Sequence, residues 1–302
     1  MALRLDDYPR SAVPTDDERH VDLAAWVIKG NSIMAKFAAA AGVDAEAAAF
    51  AAEEAKLLST LDKLHWNPKT KTYCDAGKHS NKGTFKEHIV FQCQDPSTGQ
   101  TAQFDTPSDR PSYTCPPNQR FSKFQWQLGD GQGGLMKRQK FAAKKTGYRF
   151  VQHTGYVSLF PVLLRLLPAD SDQLGETLKV MRDPDQLWSG FGLRSLSKAD
   201  LYYNRENAPG DAPYWRGSIW ININYLALYG LQHYKQVEGP HQALADKIYN
   251  ELRADLIAAM YKSWADTSFL FEQYNQDSGD GQRNHPFAGW SSLISLIIAE
   301  RY

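Results

Sequence analysis

Carboxylates lie among aromatic residues at three places in this sequence, and they are the residues best suited to do chemistry. Asp6 and Asp7 occur together in LRLDDYPR, Glu18 and Asp22 lie one helical turn apart in ERHVDLAAW, and Glu272 lies in FLFEQYN. Aromatic rings stack on the C–H faces of pyranoses, and carboxylates hydrogen-bond to hydroxyls. Hydrolysis of a glycosidic bond needs two carboxyl groups on opposite sides of it. The combination points to carbohydrate chemistry.

Each carboxylate also has a structural interpretation that the sequence leaves open. Asp6 and Asp7 precede a proline and fit a plain turn. Glu18 and Asp22 fit the start of a helix, as a solvated stripe or as a clamp for a nearby cation. Glu272 is harder to explain structurally, because a carboxylate in an aromatic stretch is costly to desolvate unless it is hydrogen-bonded or its ionisation is tuned.

Composition excludes several classes of protein. The 302 residues carry 34 Lys and Arg against 34 Asp and Glu, so the net charge gives no reason to expect a nucleic-acid partner. The longest apolar runs stop short of the roughly 20 residues that span a bilayer. The first ten residues resemble neither a signal peptide nor a transit peptide, and they already contain a candidate carboxylate. We therefore expect the sequence to begin inside a larger domain.

Metal and phosphate sites find no support in the motifs. The eight histidines form no H-E-x-x-H pair, and the three cysteines form no C-x-x-C pair. Cys93 and Cys115 either form a disulfide or remain free together with Cys74. The stretch GDGQGG (129–134) lacks the features of a phosphate-binding loop and is predicted to be an ordinary loop, and KRQKFAAKK (137–145) is predicted to be a solvated face. No N-glycosylation sequon with a permitted middle residue occurs.

Helical patterning dominates the elements that must position these residues. A first helix is predicted from Asp16 to Gly42 and a second from Asp44 to about Trp66. Further helices are predicted at 156–167, 171–182, 218–235, 239–263 and 288–301. Residues 67–148 read as a loop-rich insertion with only short β-like pieces, HIVFQC and RFSKFQW. About seven helices without βαβ alternation indicate an all-α class.

Seven stretches in order resemble glycoside hydrolase family 63. They are LDDYPR, ERHVDL, GYVSLFPVLLRLLP, LWSGFGLRSLS, PYWRGSIWININYLAL, FEQYN and HPFAGWSSL. The resemblance runs from residue 3 to residue 302 and fails over roughly 75–148. It implies an (α/α)6 toroid that is incomplete at its N-terminus, with residues 1–302 as the C-terminal portion of the catalytic domain and 75–148 as a loop-rich insertion.

The resemblance also implies roles for individual residues. Together with a fainter likeness to trehalase motifs, it makes Asp6 the general acid and Glu272 the general base of an inverting mechanism that needs no metal or cofactor. Trp215 and Arg216 would contact the terminal sugar, with Gly217 allowing close backbone approach. Asn222 and Asn224 either satisfy buried polar partners along the barrel wall or bond to neighbouring loop backbone without touching sugar. The implied substrate-binding residues are Glu18, Asp22, Tyr214, Trp215, Arg216, Trp220, Tyr274 and Trp290.

The function implied is that of an exo-α-glucosidase removing the terminal α-1,2-linked glucose of the Glc3Man9GlcNAc2 N-glycan precursor. Its partner would be the glucosylated high-mannose glycan of nascent glycoproteins in the lumen of the endoplasmic reticulum, where full-length members are membrane-anchored. Three alternatives stay open: a trehalase-like or other α-glucoside hydrolase, a catalytically inactive glycan-binding fragment, and a non-enzymatic helical interaction protein in which the same aromatics are core.

Overall fold

Seven α-helices form the larger part of the regular structure in the computed structural model, which describes residues 5–127, 134–206 and 212–302. They are α1 (Val21–Ala40), α2 (Asp44–His65), α3 (Tyr156–Leu163), α4 (Asp172–Arg182), α5 (Ile221–Tyr234), α6 (Gln242–Thr267) and α7 (Ile294–Ile298), the last preceded by a 3-10 helix at Trp290–Leu293. Each lies within or close to a segment predicted to be helical. α1 starts five residues after the predicted Asp16, because residues 16–20 are extended backbone and turn.

Twelve short strands occupy the remaining regular structure of the described residues. They are β1 (Trp66–Asn67), β2 (Thr72–Tyr73), β3 (Asp75–His79), β4 (Gly83–Gln94), β5 (Thr101–Pro107), β6 (Arg120–Phe124), β7 (Trp126–Gln127), β8 (Gly134–Leu135), β9 (Lys137–Ala143), β10 (Gly147–Val151), β11 (Gln273–Tyr274) and β12 (Gly281–Gln282). The loop-rich prediction for 75–148 is therefore wrong, and the all-α class describes only the helical part.

The largest sheet of the insertion has four antiparallel strands and is built around the long strand β4. β9 pairs with its first half, and β5 and β6 pair with its second half. Cys93 and Cys115 form a disulfide that closes the loop carrying β5. Of the two alternatives that the sequence left open, the structure therefore has the disulfide and not three free thiols. Cys74 is a buried free thiol. The basic run at 137–145 contributes β9, where Lys137 and Lys140 form ion pairs with acidic groups. The predicted loop at 129–134 lies outside the described residues except for Gly134.

The helices pack in a series, and the apolar core lies between them. α1 and α2 form the predicted hairpin, in which Gly42 has a φ of +74° that favours glycine. α1 packs on α3, α3 on α5, and α5 on α6. All eight residues of α3 are buried, so this short helix lies at the centre of the core. Among the described residues, no helix is both long enough and apolar enough to cross a membrane.

Extended segments beside this core carry the candidate residues. The N-terminal segment pairs with β3 through bridges at Val13 and Arg19. The segment before α5 runs between two others, because Ile219 pairs with Arg194 on one side and with Tyr274 on the other. The segment before α5 and the strand after Phe271 are thereby held next to each other.

Candidate active site

Glu272 is the most enclosed of the candidate catalytic carboxylates. Its exposed fraction is 6%, and both carboxylate oxygens accept hydrogen bonds, Oε1 from the hydroxyl of Tyr214 and Oε2 from Nδ2 of Asn284 at 2.7 Å. Its backbone is fixed too, since its N–H donates to Asn284 O at 3.0 Å and its carbonyl accepts from the indole N–H of Trp290 at 2.6 Å. Both side-chain partners are donors, which matches a carboxylate that only accepts.

Asp6 and Asp7 occupy the centre of a turn closed by a hydrogen bond from Tyr8 N–H to Leu5 O at 3.0 Å. Asp6 is exposed, and the described residues offer its carboxylate no hydrogen bond. Asp7 points the other way: its two oxygens accept the backbone N–H groups of Tyr214 and Trp215 at 2.9 and 2.5 Å. The turn interpretation and the functional interpretation are thus compatible, with Asp6 facing solvent and Asp7 serving as an anchor.

Tyr214 connects the turn to Glu272. Its backbone is held by Asp7 and its hydroxyl donates to Glu272. Burial, the hydrogen bond to Glu272, and the charges of Glu272 and Asp6 raise the pKa of Tyr214 well above its ordinary value. The phenol therefore remains protonated and donates across the usual range of pH.

Several predicted substrate-binding aromatics are buried beneath this surface instead of facing solvent. Trp220 is 0% and Tyr274 1% exposed, so their assignment to direct substrate contact does not fit the structure. Trp215 is 5% exposed and stacks on Trp220 with ring centroids 3.7 Å apart. These rings form a floor that fixes the shape of the site. Tyr214 and Trp290 are half-buried and keep surface available to a ligand.

Arg216 is also bonded mainly to protein groups and offers little surface to a sugar. It is 8% exposed, its Nε donates to the backbone carbonyl of Asp7 at 2.7 Å, and its Nη1 donates to Arg205 O at 2.9 Å. It therefore joins the turn to the segment before α5. The next residue, Gly217, has a φ of +150°, and a methyl group added there would lie 3.1 Å from a ring carbon of Tyr203. Only glycine fits this position without strain.

The two asparagines of the segment differ. Asn224 is 0% exposed, accepts from Leu193 N–H at 2.8 Å, and donates to Tyr156 Oη, Leu193 O and Trp220 O. Most of these hydrogen bonds join Asn224 to neighbouring backbone groups, which fits the alternative in which Asn224 does not contact sugar. Asn222 is half-buried, and its Oδ1 accepts the N–H of Ile223 at 2.9 Å.

Glu18 and Asp22 lie on the other side of the N-terminal segment, and no described contact joins them to Glu272. Asp22 gives both oxygens to Arg10, at 3.2 and 2.7 Å, and Arg10 also bonds to Asp75 at 2.6 Å. Burial alone lowers the pKa of Arg10, but Asp75 and Asp22 outweigh it and raise that pKa above its usual value. This triad fixes the residues that follow the turn. For Asp22 the structure fits the clamp for a nearby cation that the sequence left open, because both of its oxygens bond to Arg10.

Glu18 is likewise occupied by protein groups. It accepts from Ser11 N–H at 3.1 Å and lies 3.3 Å from Nε2 of His20. Burial opposes ionisation of Glu18, but the bonds from Ser11 and His20 prevail and lower its pKa. Two residues with roles in this arrangement were not singled out from the sequence: Arg10 and Asn284. The signal available was position, because each lies inside or directly beside a family-like stretch.

The whole chain matches a known protein family. The model of the glycosyl hydrolase family 63 C-terminal domain covers residues 1–300. The chain is 33% identical to Alpha-glucosidase 2 of Arabidopsis thaliana over 99% of this chain and 34% of that protein. It is 34% identical to a probable mannosyl-oligosaccharide glucosidase of Schizosaccharomyces pombe over 100% of this chain and 29% of that protein. The chain thus spans about a third of the length of these relatives.

A solved structure shares the fold. The family 63 mannosylglycerate hydrolase of Thermus thermophilus, crystallised in complex with Tris, aligns with a TM-score of 0.54 at 15% identity. The alignment covers 93% of this chain and 45% of that one. At this identity the likeness concerns the fold alone.

Proposed function

Because the chain belongs to glycosyl hydrolase family 63, we propose that it carries the acid–base pair of an inverting exo-α-glucosidase. Asp6 is the general acid and Glu272 the general base. In the same proposal the helical series is part of an (α/α)6 toroid.

The observation that carries this proposal is the link through Tyr214. The hydroxyl of Tyr214 donates to the buried Glu272, which also accepts a hydrogen bond from Asn284. The backbone of Tyr214 is anchored by Asp7, the neighbour of the exposed Asp6. A base must be oriented to remove a proton from water, whereas an acid must reach a group that arrives with the substrate. The enclosed Glu272 fits the first task and the open Asp6 fits the second.

The chemistry follows from this division. Asp6 donates its proton to the glycosidic oxygen as the bond from that oxygen to C1 breaks. Glu272 takes a proton from a water molecule that attacks C1 from the opposite face. Glucose leaves with inverted anomeric configuration, and the remaining glycan leaves with a new hydroxyl group. Tyr214 and Asn284 hold Glu272 in one rotamer throughout.

The substrate in this proposal is the terminal α-1,2-linked glucose of Glc3Man9GlcNAc2 on nascent glycoproteins. The names of the relatives, an α-glucosidase and a probable mannosyl-oligosaccharide glucosidase, support it. We further propose that the protein acts in the lumen of the endoplasmic reticulum, as part of a longer, membrane-anchored enzyme.

The test is glucose release by the 302-residue chain from an oligosaccharide ending in α-1,2-linked glucose, followed by NMR of the anomeric proton. We expect β-glucose to appear first, and Asp6→Asn and Glu272→Gln each to lower kcat by about 10²–10⁴-fold. The matched controls are Asp16→Asn and Glu46→Gln, which change exposed carboxylates outside the turn and are expected to keep wild-type rates.

Other outcomes identify the alternatives. Faster release from trehalose than from the oligosaccharide would indicate a trehalase-like enzyme. Binding of the oligosaccharide by a folded chain that releases no glucose would indicate an inactive glycan-binding fragment. A folded chain that neither binds nor cleaves the oligosaccharide would indicate a non-enzymatic helical interaction protein.

A further inference from the structure

A stripe of exposed apolar side chains runs along one face of α1. Its members are large apolar residues, yet they are between 42% and 66% exposed: Leu23, Val27, Ile33, Met34 and Phe37. Within the described part of the chain, α1 packs mainly on α2 and α3, and neither helix covers the stripe. Positions 23, 27, 30, 34 and 37 follow one another at intervals of four and three residues, the spacing with which one helix packs along another. The stripe therefore has the form of a helix-packing surface.

A groove of about 330 Å³ opens beside the first half of this stripe, between α1 and α2. Leu23 and Val27 of the stripe form part of one wall, and leucines of α2, among them Leu57 and Leu64, form the other. Phe37 is the most exposed member of the stripe and lies farther along the same helix. One surface therefore carries an exposed aromatic side chain and an apolar groove of the kind in which such a side chain is buried at interfaces.

Gly30 lies at the middle of the stripe. It is exposed in the interior of α1 and has helical backbone, where glycine is less favourable than alanine. A Cβ built there meets nothing within 4 Å, so no contact inside the chain requires a glycine. A glycine on a packing surface does have a use, because it accepts a large side chain from the facing helix. Met34, on the same stripe, is a flexible side chain of the kind that fills such a gap.

We infer that α1 pairs in antiparallel orientation with α1 of a second copy of this chain, about a two-fold axis close to residue 32. Gly30 then lies opposite Met34 of the second copy, and Val27 lies opposite Phe37 of the second copy. Because Val27 lines the groove, Phe37 of each copy enters the groove of the other. The two-fold axis repeats every contact, so one surface supplies both the side chain and the groove that receives it.

The exposed area of the stripe is sufficient for a dimer. Five apolar side chains of this size and exposure present about 500 Å² on each copy, so the pair buries about 1,000 Å², the lower bound for a specific interface. Charge does not oppose the pairing. Apart from Asp22, which bonds to Arg10, the charged residues of α1 are Lys29 and Lys36, and at helical spacing both lie off the stripe.

The test is sedimentation equilibrium of the 302-residue chain over a range of concentrations, without substrate, so that the result does not depend on the proposed function. We expect a monomer–dimer equilibrium in the wild type. In Phe37→Ser, which removes the side chain that enters the groove, the dissociation constant of the dimer should rise at least about tenfold. The matched control is Tyr261→Ser, because Tyr261 is exposed to nearly the same extent, 67%, beside a different apolar groove. It should keep the wild-type constant.

Distances between spin labels test the orientation of the two helices. Residue 31 lies beside the two-fold axis, whereas residue 41 lies about nine residues, or about 14 Å, from it along the helix. Labels on Asn31→Cys should therefore be much closer together in the dimer than labels on Ala41→Cys. The inference is overturned if the two distances are equal, if the wild type stays monomeric at every concentration, or if Phe37→Ser associates as the wild type does. Dissociation caused by Tyr261→Ser instead would place the contact at α6.

Discussion

The carboxylate of Asp7 accepts hydrogen bonds from the backbone N–H groups of both Tyr214 and Trp215, at 2.9 and 2.5 Å. This bidentate contact joins segments more than two hundred residues apart in the sequence. It places the turn that carries Asp6 beside the tyrosine that bonds to Glu272. The relative position of the proposed acid and base therefore depends on a residue that itself takes no part in the proposed proton transfers.

Replacement of Asp7 by asparagine should lower activity and stability together. The amide offers one acceptor oxygen for two N–H donors, and its NH₂ group faces the other donor. We expect kcat to fall about 10–100-fold and the free energy of unfolding to fall by about 1–3 kcal/mol. Steady-state kinetics and urea unfolding measure the two effects. The exposed Asp17 provides the control, because Asp17→Asn should change neither quantity. Wild-type kcat in Asp7→Asn would contradict the anchoring role.

Removal of the Tyr214 hydroxyl isolates its contact with Glu272. Tyr214→Phe keeps the ring, and with it the contacts to Trp220 and Arg283, but removes the donor. With one donor instead of two, Glu272 is held less firmly, and we expect kcat to fall about tenfold with a smaller change in KM. The comparison variant is Tyr261→Phe, since Tyr261 is 67% exposed on α6. A change in KM alone would show that Tyr214 only binds substrate.

Asn224 should be a major determinant of stability. Asn224→Ala leaves Leu193 N–H without its acceptor in a fully buried setting and removes three donated bonds. We expect a loss of about 2–4 kcal/mol in the free energy of unfolding, measured with urea. Asn222→Ala, two residues earlier and half-buried, should cost less than about 1 kcal/mol. Equal losses would show that burial of the bonds is not the cause.

His79 should make the protein less stable in acid. It is 2% exposed, and burial, followed by the charge of His153, lowers its pKa to about 4. In the unfolded chain a histidine titrates near about 6.5. Between these two values the unfolded state holds more protons, so the free energy of unfolding falls as pH falls from about 6.5 to about 4. The contribution present at neutral pH is at most about 3 kcal/mol.

Urea unfolding at about pH 7 and about pH 4.5 measures this contribution. In His79→Gln, which has no group titrating in that window at this position, the loss of stability between the two pH values should be smaller than in wild type by about 1–3 kcal/mol. An unchanged pH dependence would mean that another group governs acid sensitivity.

Local patterns in the sequence predicted the helices well because the backbone hydrogen bonds of a helix lie within the helix itself. Spacing of apolar residues and caps such as Ser171, whose Oγ accepts from Leu174 N–H at 3.3 Å, lie within one segment. The pieces HIVFQC and RFSKFQW, which the sequence marks as β-like, lie in β4 and in β6 and β7. Other strands were not predicted, among them β3, because it bonds with β10 about seventy residues later. β9, which was predicted to be a solvated face, has two exposed and five half-buried residues, so no clean alternation of buried and exposed positions marks it as a strand.

The sequence by itself determined which residue types were available, the order of the helices and the family. It could not divide the roles among the candidates, because burial and hydrogen bonding depend on what packs opposite each side chain. Only the tertiary structure separated Asp6 from Asp7 and moved Trp220 and Tyr274 into the core. It also assigned Asp22 to Arg10 and brought Asn284 and Tyr214 to Glu272. These relationships join residues from 12 to more than 200 positions apart, and no local pattern encodes them.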